Sequence, residues 1–224
     1  MNLLQVVVEL RHHEPLKLFR PYEELFCSLT GKELPEKERT LPLPGFELNI
    51  GERKMRVVID PARTAVVLGY VPNIGYCIDN VMATFNKIGE LVKLPLLTRL
   101  GIRSYWIEKA DVNFTELVSL YKEILYKPNI VVEQSTDINT TFTLSDNKNT
   151  ATVAFGPMEL SQLKGMLLFP SSELPDVVTF LDVDYYLKPE PLEVTARMLH
   201  DFANAGLNYA EKQSQRLMKI LSKE

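Results

Sequence analysis

The chain has 224 residues, of which 46% are hydrophobic and 24% are charged, and its formal net charge is −4. This is ordinary globular composition, and the length suits one domain, residues 1–224, with a sizeable core. A negative net charge argues against non-specific binding to nucleic acid or to an anionic membrane, which needs a basic surface.

The sequence also limits the cellular compartment. Cys27 and Cys77 are its only cysteines, too few for a disulfide framework or a structural zinc site. The first residues, MNLLQVVVELRHH, lack a basic leader region and predict a strand rather than a signal peptide. No apolar run reaches the ~20 residues of a membrane span. We therefore expect a cytoplasmic protein with reduced thiols and no membrane segment.

In the first part of the chain, strand and helix patterns alternate. A strand is predicted over residues 5–12, and apolar residues then follow helical spacing, interrupted by Pro21 and ended by Gly31. A proline-rich surface connection separates this helix from strand material at 46–60, bent near Gly51. A strand at 64–70 and an amphipathic helix at 78–94 follow.

The middle of the chain repeats these patterns. We predict, in order, a strand at 99–107, a helix at 113–126 capped by Asp111 or Asn113, a strand at 130–136 and a hairpin of 139–144 with 150–157. Residues 160–169 fit a helix or a strand equally well.

The last fifth of the chain gives the clearest pattern. A strand at 177–187 (VVTFLDVDYYL) precedes an amphipathic helix over about 190–221, whose start is flanked by Pro189 and Pro191. Small residues around Gly206 would let another backbone approach closely. The heptad repeat breaks at Gly206 and Gln213, which favours a helix lying across a sheet over a coiled coil.

That helix would be about 45–50 Å long, whereas strands span about 17–20 Å. Its final turns would then project with an apolar face uncovered, and such a face usually finds a partner. The sequence therefore predicts a homodimer through the C-terminal helix.

The order strand–helix–strand–strand–helix runs through residues 4–94 and again through 98–222. Residues 9–11 match 101–103, and residues 64–67 match 150–153. The predicted fold is α+β: a curved antiparallel sheet made of two pseudo-repeats and covered by the long C-terminal helix.

Three short pieces, VVVELRHHEP, TRLGIRSYWIE and FLDVDYY, carry a family resemblance. Their pattern of Glu-x-Arg, Arg-x-Gly-x-Arg and Asp-x-Asp resembles a sporadically distributed bacterial protein family of unknown function. The corresponding residues here are Glu9, Arg11, Arg99, Gly101, Arg103, Asp182 and Asp184. Ser104 departs from the pattern, which has an aromatic residue there. The resemblance implies that these strands belong to one architecture, and it implies no activity.

The candidate site is a polar network of charged residues on otherwise apolar strands. Its members are Arg11, Arg99, Arg103, Asp182 and Asp184. Asp182 and Asp184 share one face of a strand by period-two alternation, as do Arg99 and Arg103. Three interpretations stay open: a structural network of bidentate Arg–carboxylate pairs, a ligand pocket, or a Mg²⁺ site. We predict that Arg103 pairs with Asp182 or Asp184 in the interior of the sheet.

Other chemistry-bearing residues lack a working arrangement. His12 and His13 would point to opposite faces of a strand, and His200 has no second histidine one helical turn away. Cys27 is expected in the core, and the dipole of the following helix could lower the pKa of Cys77. Phosphate loops and nucleophile elbows are missing from the sequence. We expect no metal and no cofactor, and catalytic residues stay unknown.

The sequence favours a non-enzymatic interaction or regulatory module, with a possible small ligand held under the long helix. The alternative from a different class is an enzyme acting on an anionic or metal-bound substrate through the arginine–aspartate constellation. A nucleic-acid binder with a saddle-shaped surface is the third reading, and the acidic balance counts against it.

Overall fold

The computed structural model describes residues 1–14, 22–33, 46–126, 135–145, 148–171 and 173–222. The strands are β1 Asn2–His12, β2 Phe46–Ile50, β3 Met55–Ile59, β4 Arg63–Gly69, β5 Leu97–Lys109, β6 Thr140–Ser145, β7 Asn149–Glu159 and β8 Val177–Leu187. The helices are α1 Tyr22–Thr30, α2 Ile74–Leu91, α3 Phe114–Leu125, α4 Leu160–Met166 and α5 Ala196–Leu221.

The eight strands form one curved, unclosed antiparallel sheet in the order β2-β3-β4-β1-β5-β8-β7-β6. The predicted α+β class, the antiparallel sheet and the covering C-terminal helix are confirmed. Helices α1, α2, α3 and α5 pack on one face of the sheet, and α4 packs against β7. The other face stays open over its centre, and the charged residues lie there.

Local signals explain most element boundaries. Gly31 ends α1 with a positive φ of 67° and donates its backbone N–H to the Cys27 carbonyl. Asn73 caps α2, which therefore begins four residues before the predicted start, and Asn113 forms a capping box with Glu116 at the start of α3. The ambiguous segment after Glu159 is helix α4. The predicted strand at 130–136 lies mostly outside the described residues.

Helix α5 begins at Ala196, about six residues later than predicted. Thr195 caps it by accepting a hydrogen bond from the Met198 N–H. The residues before the cap are tied to the sheet instead, because Leu97 and Leu192 exchange two backbone hydrogen bonds of 2.8 and 3.2 Å. These bonds extend the sheet at the position where helical periodicity alone predicted a first turn.

The main core lies between the sheet and helices α1, α2 and α5, and α5 packs closely on the sheet, as the small residues in the helix predicted. Gly206 is buried, and a Cβ atom added there would overlap Ile102 Cγ2 and touch the Tyr185 ring at 3.0 Å. Ala203 and Ala210 are buried one turn to either side. The helix therefore lies directly on β5 and β8, and the ligand expected beneath it has no space at that point.

The end of α5 does not project from the fold, contrary to the expectation from its length. Leu217 is buried in a core cluster with Trp106 and Tyr121, and Leu221 packs against the same cluster. Ile220, half exposed, remains as an apolar side chain on the surface of the last turn. The homodimer stays a prediction, but the uncovered apolar face that motivated it is not present.

The two halves of the sheet have the same strand order: β2-β3-β4-β1 and β6-β7-β8-β5, joined through β1 and β5. Each half has three strands after its first helix. In the first half this is one more than predicted, because a 3-10 turn over Gly51–Arg53 divides the segment at 46–60 into β2 and β3. In the second half the three strands are the predicted hairpin and the predicted strand at 177–187. Topology thus places β4 opposite β8, whereas the sequence match paired residues 64–67 with 150–153 of β7.

Candidate functional site

Period-two alternation separates the two faces of the central strands. Val8 and Leu10 of β1, Ile102 of β5 and Val183 of β8 face the helices. The residues between them face the other way and are mostly charged. The predicted network lies on this open face, beside three further residues that alternation brings there: Glu9, Arg63 and Tyr186.

Arg99 is the centre of the network. Its Nη1 donates to Glu9 Oε1 on β1 at 2.9 Å, and its Nη2 donates to both Asp184 oxygens on β8 at 2.8 and 2.9 Å. The guanidinium lies across Gly101, where a Cβ would come within 3.4–3.6 Å of it, and over the Tyr186 ring at 4.7 Å. Arg99 therefore joins three strands through one planar group.

Arg103 forms the second ion pair. Its Nε and Nη2 donate to the two Asp182 oxygens at 2.9 and 2.6 Å, which is a bidentate arrangement. The predicted pairing of Arg103 with one of the two aspartates is thus present. Its predicted location was wrong: the Arg103 side chain is 46% exposed and lies on the open face, not in the interior of the sheet.

Arg11 and Arg63 form the rim of the network. Arg11 Nε donates to Glu9 Oε1 at 2.8 Å, and Arg63 reaches Glu9 Oε2 at 3.4 Å and Asp60 Oδ2 at 3.0 Å. Arg11 contacts neither aspartate, so it joins the predicted network only through Glu9 and Arg99. Glu9 is the acid that connects β4, β1 and β5.

Exposure separates the charges into two layers. The acidic side chains lie low: 11% exposed for Asp182, 13% for Glu9 and 29% for Asp184. The rim arginine side chains are far more exposed: 55% for Arg11 and 48% for Arg63. A molecule that approaches the open face therefore meets cationic groups before it meets the carboxylates.

These residues line an open groove of about 570 Å³. Five of its lining residues are cationic (Arg11, Arg63, Arg99, Arg103 and Lys188), and two are acidic (Glu9 and Asp184). Asp60 and Asp182, paired with Arg63 and Arg103 from outside this lining, bring the local balance from three positive charges to one. The whole chain has four net negative charges, so the groove is locally basic in an acidic protein.

Burial and pairing act in opposite directions on the acidic groups. Burial raises the pKa of Asp182, and this effect outweighs the hydrogen bonds and the charge of Arg103. Burial also acts to raise the pKa of Glu9, but Arg11, Arg99 and Arg63 together outweigh it and leave that pKa lowered. On the cationic side, the hydrogen bonds to Asp182 raise the pKa of Arg103. The lowered pKa of Glu9 leaves this carboxylate charged at neutral pH.

The histidines and cysteines lie elsewhere. His12 is buried and His13 exposed. The His12 Nδ1 lies 3.2 Å from the Pro61 carbonyl, which can only accept, so Nδ1 carries the proton and Nε2 accepts from the Thr64 hydroxyl at 3.1 Å. Burial lowers the pKa of His12, which leaves a neutral structural imidazole.

Cys27 is exposed rather than buried, so its expected place in the core was wrong. Cys77 is buried, and burial raises its thiol pKa to about 12, the opposite of the dipole effect considered from sequence. Among the described residues, no group of three or more His, Cys, Asp and Glu side chains is arranged to hold a metal ion. Within the same residues, no helix is both long and apolar enough to cross a membrane.

Sequence reasoning missed Glu9 as a site residue, and it also missed Arg63, Tyr186 and Lys188. Glu9 could have been included, because it alternates with Arg11 on the same strand. Arg63 lies between the predicted strand material at 46–60 and the predicted strand at 64–70, and only the pairing of β4 with β1 places it opposite Arg11. No local pattern in the sequence marks it.

No protein-family model matches this chain, and no curated protein sequence matches it. The resemblance to the sporadically distributed bacterial family stays a prediction.

Proposed function

We propose that this protein is a non-enzymatic binding module and that the groove on the open face of its sheet holds an anionic ligand or the anionic part of a partner. One observation carries the proposal: the side chains of Arg11, Arg63 and Arg103 are about half exposed, whereas those of the acids they pair with, Glu9 and Asp182, are only 13% and 11% exposed. The carboxylates fix the arginines in place, so little conformational entropy is lost when an anion binds.

The same contacts support binding rather than catalysis. A general base needs a carboxylate that can accept a proton from a substrate. Glu9, Asp182 and Asp184 each already accept hydrogen bonds from arginine. Burial does raise the pKa of Asp182, which supports the alternative of an enzyme with an anionic substrate, because perturbed carboxyls are common in active sites. Its bidentate pairing with Arg103 opposes that role.

The proposal includes a cytoplasmic location, consistent with two free cysteines. It also includes descent from an internal duplication, which the matching strand order of the two halves supports. If the halves are related, the groove lies across their junction, where β1 pairs with β5.

The test is calorimetric titration with sodium tripolyphosphate and with citrate at low ionic strength. The double variant Arg11→Gln/Arg63→Gln removes two half-exposed arginine side chains and leaves the Arg99–Asp184 and Arg103–Asp182 pairs in place. We expect its affinity to fall at least fivefold, and added salt to weaken wild-type binding because exposed charges are screened.

The matched control is Arg197→Gln, since Arg197 is 91% exposed on α5, on the opposite side of the sheet. It should bind both probes as wild type does. Equal affinity in wild type and the double variant, or no binding at millimolar probe, overturns the proposal.

A further inference from the structure

The charged groove continues into a second depression along the open face. This depression has a volume of about 380 Å³ and includes Arg103 and Asp182 in its lining. Its lining also includes Asp137, Met158, Gln162, Met166 and Phe180. Arg103 lines both depressions, so the two adjoin at this side chain.

The second depression is built by small residues. On β7, Ala154 and Gly156 lie beside Asp182 and Phe180 of β8, so β7 itself adds little side-chain bulk to the floor there. The segment that includes Ile138 lies so close to Gly156 that a Cβ atom there would overlap the Ile138 carbonyl oxygen. Helix α4 adds Gln162 and Met166 to the lining.

The two ends of this surface differ in chemistry. The end over β4 and β1 carries Arg63 and Arg11 above Glu9. The end over β7 and α4 carries thioether and aromatic groups from Met158, Met166 and Phe180, together with Asp137 and Asp182. One end therefore suits carboxylates and the other suits an apolar side chain.

The length of the surface favours an extended occupant. From β4 to β7 the sheet makes four inter-strand steps, and at about 4.8 Å each they span roughly 19 Å. At about 3.3 Å per residue, this distance matches roughly six residues of extended peptide.

Openness argues against a small metabolite. Sites for such ligands bury about 70–90% of the ligand within mostly apolar walls. Here the groove is open to solvent, and charged side chains form most of its lining.

The charge pattern also argues against a nucleic acid. A nucleic-acid strand has a phosphate at every nucleotide, so it would place negative charge beside Asp137 and Asp182. A peptide can confine its acidic residues to one end.

We propose that the open face binds an extended segment of a partner protein, about six residues long, with acidic residues over Arg11 and Arg63 and a Met, Leu or Phe side chain between Met158 and Met166. This inference rests on the proposed function and names the class of its ligand. The binding mode lays the peptide across the strands, so side-chain contacts, not strand addition, supply the specificity.

The test is selection from a random heptapeptide display library on immobilised full-length protein. Enriched peptides should have two or more Asp or Glu residues followed by Met, Leu or Phe. A resynthesised, fluorescein-labelled lead peptide should bind Arg11→Gln/Arg63→Gln at least tenfold more weakly than wild type. It should bind Arg197→Gln as it binds wild type.

Met166→Glu tests the apolar end separately, because Met166 is partly exposed on α4 and its replacement leaves the β-sheet unchanged. Selection on this variant should lose the preference for the apolar residue and keep the preference for acidic residues. Hexauridylate, added as a competitor of the lead peptide, tests the alternative that the open face binds a nucleic acid.

Three results would overturn the inference: no enrichment, enrichment without acidic residues, or displacement of the lead peptide by low-micromolar hexauridylate. If tripolyphosphate still binds in a manner that depends on Arg11 and Arg63, a failed selection removes only the peptide inference. If tripolyphosphate does not bind either, the proposed function fails with it.

Discussion

At the scale of single residues, the open face alternates cationic and anionic groups so that each buried carboxylate has an arginine. Directly across β5 and β8, Arg103 lies opposite Asp184. The bidentate pair nevertheless forms diagonally with Asp182, and Asp184 binds Arg99. The Asp182 side chain is less exposed than that of Asp184. The stability lost on removing one partner of an ion pair should therefore depend on how buried the remaining partner is.

Replacing Arg103 with Met should destabilise the fold more than replacing Asp182 with Asn. The first change leaves Asp182, whose side chain is 11% exposed, without its bidentate partner. The second leaves Arg103, whose side chain is 46% exposed and can be solvated by water. We expect a loss of about 1.5–3 kcal/mol for Arg103→Met and a smaller loss for Asp182→Asn. Urea denaturation of both variants measures the difference.

The combined variant Arg103→Met/Asp182→Asn completes a double-mutant cycle. Its loss should be smaller than the sum of the two single losses, because neither partner then remains unpaired. The value expected for an interior pair, about 3–5 kcal/mol, does not apply to a half-exposed arginine. Simple additivity, or a larger loss for Asp182→Asn, would show that the pair does not act as described.

Replacing Glu9 with Gln should cost stability in a pH-dependent way. The folded-state pKa of Glu9 lies below the reference value of 4.5, so its charge stabilises the fold above that pH, and the contribution is lost as pH falls through the folded pKa. The difference in free energy of unfolding between wild type and Glu9→Gln should therefore be constant near neutral pH and should become smaller below about pH 4.5.

Denaturant unfolding at several pH values between 3 and 7 measures this gap. Glu90→Gln is the control, because its side chain is 62% exposed and its carboxylate pairs with Lys87 at the surface, an interaction of little value. A gap that stays constant down to pH 3 would contradict the role given to Glu9.

At the scale of elements, the contact of α5 with the sheet depends on one missing side chain. Gly206→Ala should destabilise the protein by about 1–3 kcal/mol, because the added methyl overlaps Ile102 and forces the helix away from β5. The intrinsic gain of alanine in a helix, about 1 kcal/mol, is too small to reverse the sign.

Gly89→Ala in α2 is the matched control. Within the described part of the chain, nothing apart from its chain neighbours and the nearby backbone of α2 itself lies within 4 Å of a Cβ at that position, so the helix-propensity gain should appear as a higher melting temperature. Thermal unfolding of both variants gives the comparison. If Gly206→Ala is as stable as wild type, α5 does not approach the sheet as closely as described.

At the scale of the whole molecule, the last turns of α5 carry one buried and one exposed apolar residue, so substitutions there can test folding and dimer formation independently. Leu217 belongs to the core, and Leu217→Ala should cost about 2–5 kcal/mol. Ile220 is 50% exposed, and Ile220→Glu should leave the stability of a monomer nearly unchanged.

A homodimer through the C-terminal helix would bury Ile220, so Ile220→Glu should then dissociate it without unfolding the chain. Light scattering at high micromolar concentration, with denaturation in parallel, distinguishes the two effects. A full-length protein that is monomeric under these conditions, or an Ile220→Glu variant that stays dimeric, contradicts this interface.

The sequence by itself determined the elements and the face that each charge occupies. Periods of 2 and 3.6 residues identified β8 to the residue and the apolar stripe of α5, and the caps at Asn113 and Gly31 have local causes. Alternation also placed Asp182 with Asp184, and Arg99 with Arg103, before any strand pairing was known.

Only the tertiary structure decided which charges meet and where the site is. Arg99 and Asp184 are 85 residues apart, and their contact depends on strand register, which no local pattern encodes. The start of α5 was missed because a long-range bridge to Leu97 competes with helix formation at 190–193. Burial likewise came from packing: α5 covers one face, so the charges on the other face remain open to solvent and to a ligand.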